Sequence, residues 1–116
     1  MLTDKLSDLI QSELKNVGEP NRRASLEALL TPPHKLTLNW AYGQEGERFD
    51  CWRVGQSPDG DLWLVFCEQG FGPAYPWGFI VAEDEWLGMD SQWHLSLEDA
   101  AICAGLLKAP AGYEVP

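Results

Sequence analysis

Lys35-Leu-Thr-Leu-Asn-Trp-Ala-Tyr42 sets Leu36, Leu38, Trp40 and Tyr42 in alternation with Lys35, Thr37, Asn39 and Ala41. Successive side chains of a strand point to opposite faces, so a period of two predicts a strand buried on one side. Upstream the period is different. Leu2, Leu6, Leu9, Ile10, Leu14 and Val17 recur at steps of three and four, the spacing of one helix face. Thr3 suits the N-cap of that helix and Gly18 its C′ position. A second short helix is expected from Asn21 to Leu30, with Leu26, Leu29 and Leu30 inward. Pro32-Pro33 would end it, because the residue before a proline avoids helical angles.

Downstream, Gly43-Gln-Glu-Gly46 reads as a turn, and residues 47–56 and 61–67 as a hairpin around Ser57-Pro-Asp-Gly60. One register sets Val54 opposite Trp63 and Trp52 opposite Val65; a one-residue shift sets Cys51 opposite Cys67, and the residues allow both. Gly78 to Ala82, apolar with a β-branched centre, predicts a further strand. Ser96 suits the cap of a last helix, with Glu98 and Asp99 in its first turn, Ala100 to Leu107 as its body and Pro110 as its stop. The expected fold is α+β, a single domain over residues 1–116. It has N-terminal helices, a three- to four-stranded antiparallel sheet and a C-terminal helix.

The chain carries 8 Lys and Arg against 18 Asp and Glu, a net charge of −10. Residues 1–53 are nearly balanced, whereas residues 54–116 hold Lys108 alone against ten acids. Between Val54 and Leu107 there is no lysine or arginine, yet Trp63, Trp77, Trp86 and Trp93 lie there. Binding a nucleic-acid backbone requires cations that displace counterions, so direct contact with DNA or RNA is not expected. Cys51, Cys67 and Cys103 are odd in number and irregular in spacing, unlike a secreted disulfide framework. The start, Met-Leu-Thr-Asp-Lys, lacks the basic-then-apolar pattern of a signal peptide, and no apolar run reaches the roughly 18–20 residues that span a bilayer. A cytoplasmic monomer or homodimer without membrane contact is the expectation.

Glu68-Gln-Gly-Phe-Gly-Pro-Ala-Tyr-Pro-Trp-Gly78 is the most unusual stretch. Glycines and prolines fix an irregular backbone there, on which Phe71, Tyr75 and Trp77 ride. It has no Gly-Lys-Ser/Thr ending and so is no phosphate loop. Glu83-Asp84-Glu85-Trp86 could meet a lysine or arginine of a partner, with Trp86 as the apolar anchor and Asp90 and Trp93 extending the contact. The candidate partner-binding residues are therefore Phe71, Tyr75, Trp77, Trp86 and Trp93 with Glu83, Asp84, Glu85 and Asp90. His34 and His94 are isolated and lack the spacing of zinc ligands. Cys51 follows Asp50, whose charge opposes thiolate formation, so structural thiols are the reading. Arg22-Arg23 reads as a solvated helix start. No catalytic residue, metal or cofactor is expected, and the chain does not read as an enzyme.

At Trp40-Ala-Tyr-Gly43, Phe49-Asp-Cys-Trp52 and Glu68-Gln-Gly-Phe-Gly-Pro…Pro-Trp-Gly78, the chain resembles bacterial proteins of similar length. Its general type is similar to the immunity proteins of polymorphic or contact-dependent toxin systems, which are small, acidic, often tryptophan-rich α+β domains that block a cognate toxin. The resemblance implies a protein that neutralises a basic protein partner such as a toxin nuclease. It carries over no binding residue. A different class is also open from the residues: a small ligand-binding domain or enzyme whose pocket rim is the glycine- and aromatic-rich loop.

Overall fold

Three helices and a five-stranded antiparallel sheet make up the protein in the computed structural model, which describes residues 3–113. The chain runs α1 (Thr3–Lys15), α2 (Pro20–Glu27), β1 (Leu30–Asn39), β2 (Arg48–Gln56), β3 (Leu62–Phe66), β4 (Trp77–Val81), β5 (Trp93–His94) and α3 (Leu97–Cys103). The strands lie side by side in chain order, β1-β2-β3-β4-β5. No helix among the described residues is long and apolar enough to cross a membrane.

Helix α1 buries Leu6, Ile10 and Leu14, with Val17 just beyond it, while Leu9 lies at the margin, 36% exposed. Leu2 and the group that caps the start of α1 lie outside the described residues. The expected glycine C-cap at Gly18 is replaced by a side chain. Arg23 Nε donates to Leu14 O at 3.1 Å and its Nη2 to Val17 O at 2.9 Å, satisfying carbonyls that the helix end leaves free. Arg22 is no solvated residue either: its Nε and Nη2 donate to Glu98 at 3.1 and 3.0 Å, joining α2 to α3. Glu19 caps α2, accepting from Asn21 N and Arg22 N at 3.0 and 2.9 Å, and Pro20 occupies the first turn, where its missing N–H costs nothing.

The prolines do not stop α2, which ends at Glu27, three residues before the expected boundary. Pro32-Pro33 lie inside β1, between the Leu30–Gly55 and His34–Arg53 pairs, where the register shifts. An edge strand tolerates them at such an irregularity because it has one ladder to keep. The expected strand reached Tyr42; β1 ends at Asn39 and Tyr42 is 60% exposed.

The register that sets Val54 opposite Trp63 and Trp52 opposite Val65 does not form: the bulge at Val54 moves the pairing the other way, and Trp63 lies opposite Gln56. Trp52 faces Phe66 and Arg53 faces Val65, the register that brings Cys51 beside Cys67. After a shift at Val54, Gly55 faces Leu64 and Gln56 faces Trp63. The bulge absorbs one residue and so keeps Val54 fully buried. Ser57 closes the hairpin, with Gly60 N donating to Ser57 O at 2.9 Å and Leu62 N to Ser57 Oγ at 3.0 Å. The buried thiols of Cys51 and Cys67 donate to backbone carbonyls, Phe49 O at 3.5 Å and Asp50 O at 3.9 Å, and influence one another, so one is held below the ordinary thiol range and the other far above it.

The sheet has two covered faces. Val54, Leu64, Phe66, Trp77 and Phe79 point at the helices, packing on Leu6, Ile10, Leu26 and Leu97. On the other face, Leu38, Cys51, Val65 and Ile80 are closed by Phe71 and Leu87, which come from irregular segments, and by Trp93 of the two-residue β5. Gly78 makes room for β5: a Cβ there would lie 2.8 Å from Gln92 O and from the Trp93 ring. Helix α3 starts at the expected Ser96, whose Oγ accepts from Asp99 N at 3.0 Å. It ends before the expected Pro110, because Gly105 turns at φ 77° and the Leu106 N–H reaches back to Ala101 O at 2.9 Å.

Candidate functional site

Segment 82–92 leaves β4 with Glu83 in the left-handed region at φ 65°. Asp84 pins the bend, its N donating to Val81 O at 3.0 Å and its Oδ1 accepting from Trp86 N at 3.1 Å. The segment crosses the second face and meets β1 in parallel at Asn39. Asn39 N donates to Glu85 O at 2.7 Å, and Leu87 N donates to Asn39 O at 3.1 Å. Leu87 then drops into the core, fully buried, and Trp93 follows it, its Nε1 donating to Leu87 O at 2.7 Å. With Leu87 turned inward, Trp86 and Met89 are turned outward, 48% and 61% exposed. Glu83, Asp84, Glu85 and Asp90 are exposed around them. Among the described residues the ion pairs are Arg22–Glu98 and Lys35–Asp50, so none of these four carboxylates has a cation of its own chain.

Next to this segment is an open groove of about 770 Å³. Phe71 and Tyr75 come to it from loop 68–76, Asp90 and Ser91 from the turn before β5, and Trp93, His94 and Leu95 from β5 and its end. Helix α3 supplies Asp99 and Cys103. Phe71 links the groove to the ring cluster behind it, with Trp40 4.8 Å and Trp93 6.4 Å away between ring centroids. The groove has no lysine or arginine in its wall.

The titratable groups of the groove constrain one another. Burial holds the His94 imidazole below the ordinary histidine range, and the Asp99 carboxylate opposes this in part. Tyr113 donates to Asp99 Oδ1 at 2.5 Å; burial first, and then this hydrogen bond, raise the phenol's pKa. The Cys103 thiol is likewise raised, by burial and then by Asp99, which leaves it a poor nucleophile at neutral pH. Among the described residues no three His, Cys, Asp or Glu side chains are grouped to hold a metal ion.

The nine residues singled out from sequence thus separate. Phe71, Tyr75, Asp90 and Trp93 meet in the groove, while Glu83, Asp84, Glu85 and Trp86 form the neighbouring acidic display. Trp77 belongs to neither: it is 3% exposed in the helix-side core against Phe66, at 4.8 Å between rings. Trp93 is 4% exposed, so it offers a wall and no protruding anchor. His94, Asp99 and Cys103 were not legible as a group. The only sequence signal is that His94 and Asp99 flank the Ser96 helix cap, which brings a strand end and a first helical turn together.

The chain matches no protein-family model, no curated protein and no solved structure.

Proposed function

We propose that the protein binds a basic protein partner through segment 82–92, in the manner of an immunity protein that blocks a toxin. One observation carries the reading: half-exposed Trp86 sits on a pinned backbone among carboxylates that pair with no cation among the described residues. An exposed tryptophan supplies contact area with few rotamers to freeze, which is the property of an interface hot spot. Unpaired carboxylates steer a cationic surface toward it and raise the association rate at low salt. Covering the partner's substrate-binding surface is the mode of inhibition that this geometry suits. The net charge of −10, nearly all of it in residues 54–116, adds the long-range part of the attraction.

The test is affinity capture of the partner from the source organism, followed by kinetics on the captured pair. Glu83→Gln with Glu85→Gln leaves the Asp84 bend intact and should lower the association rate several-fold at low salt, with little effect at high salt. Trp86→Ala should instead raise the dissociation rate by about tenfold or more. Unchanged rates in both variants would contradict the reading.

A further inference from the structure

We infer that the groove between loop 68–76 and α3 is a binding site for a guanidinium group on an apolar stem. Its size falls within the range of pockets that enclose small ligands, roughly 300–1,000 Å³. Asp99 forms part of the groove wall and is only 8% exposed. Tyr113 serves its Oδ1, and no described residue donates to Oδ2. Oδ2 is not closed off from solvent, so it is open to a cation that enters the groove. His94, 9% exposed, lines the same groove, and neither ring nitrogen has a hydrogen-bond partner among the described residues. Two largely buried residues, each with a solvent-reachable polar atom that has spare bonding capacity, therefore line one cavity.

The remaining wall selects the shape of the cation. Phe71, Tyr75 and Trp93 present ring surface to the groove, on which a planar, weakly hydrated guanidinium can stack. A lysine-type ammonium has the charge but is compact and strongly hydrated, and it gains less from flat walls. Leu95, 52% exposed, offers an apolar contact for the stem, and exposed Asp90 adds negative charge at the mouth. An imidazole kept neutral by burial can accept an N–H without repelling the ligand. An anion would meet Asp90 and Asp99 and find no cation.

The guanidinium can belong to an arginine of the protein partner, in which case the inference rests on the function proposed above, or to a free organic cation. Backbone and histidine-ring NMR shifts separate these. The probes are agmatine, a blocked Gly-Arg-Gly peptide and, as a neutral isostere, N-butylurea. Saturable shifts at Trp93, His94 and Leu95 are expected with the cations and not with the urea. Asp99→Asn keeps an acceptor for Tyr113, and it should weaken cation binding about tenfold or more. Asp90→Asn, at an exposed position, should weaken it by a smaller factor and guards against a folding defect in the first variant. Tighter binding of the peptide assigns the site to a partner's arginine, and tighter binding of agmatine assigns it to a free cation. No saturable shift with either cation, or equal binding of N-butylurea, overturns the inference. Loss of the groove result with retained effects of Glu83→Gln/Glu85→Gln on a captured partner would leave the function standing; the converse would leave the cation site alone.

Discussion

The two faces of the sheet are closed by different means, and the difference shows where a binding surface can form. On one side, α1, α2 and α3 lay leucines, isoleucine and alanines against Val54, Leu64, Phe66 and Phe79. A helix satisfies its own backbone, so this cover needs only an apolar stripe and leaves its outer residues unconstrained. On the other side, loop 68–76 and segment 82–92 cover Leu38, Cys51, Val65 and Ile80 with Phe71 and Leu87, joined by Trp93 of the short strand β5 that follows. Irregular backbone over a core must find a partner for each polar group. Here those partners are specific: Asp84 for Trp86 N, Asn39 for Glu85 O and Leu87 N, Gln92 Oε1 for Met89 N, and the Trp93 indole for Leu87 O. Each bond that holds the cover down also fixes which residues turn outward. Trp86 and Met89 are therefore presented at set positions, as a helix surface would not require.

The comparison can be sharpened by emptying each side in turn. Leu64→Ala, at a fully buried position on the helix side, should cost about 3 kcal/mol in urea unfolding with little change in the groove. Leu87→Ala removes an equally buried side chain from the loop side, yet its neighbours belong to a cover that can settle, so a cost of about 2 kcal/mol is expected. It should also free the Asn39 and Leu87 amides to exchange, because it unseats the segment that they bond. Equal stability losses with no change in exchange would show that the two sides do not differ in this way.

A smaller effect probes the groove. The folded-state pKa of His94 lies below its unfolded value, mainly through burial, so the folded state binds this proton less readily. The associated stability is present above the unfolded pKa of about 6.5 and is lost as pH falls through that value toward the folded one. His94→Gln should flatten the fall in stability between about pH 7 and 5.5, measured by urea titration. Parallel profiles for the two proteins would place His94 in a more solvated setting than the structure gives it.

Local patterns carried part of this architecture. The leucine spacing of α1, the Ser57–Gly60 turn, the Ser96 cap and the alternation through Leu36 and Leu38 were legible because neighbours in sequence determine them. The passage of β1 through Pro32-Pro33 was not, because its tolerance depends on β1 being the edge strand. The register change at Val54 is equally a property of the pair of strands. Strand β5, two residues long, has no period to detect. Trp77 looked like Trp86, an aromatic beside a loop; beginning β4 one residue earlier puts it on the same side as Phe79 and buries it. The acidic half of the site was visible as composition, whereas Asp99 and His94 meet only after α3 packs against β4 and β5.

The central claim, that the loop-covered face is the one that binds, is tested most directly by hydrogen–deuterium exchange of the protein alone and in complex with its captured partner. The account predicts new protection across residues 82–95, extending into loop 68–76, with α1 and α2 unchanged. Protection confined to α1 and α2, with segment 82–92 exchanging as in the free protein, would contradict it.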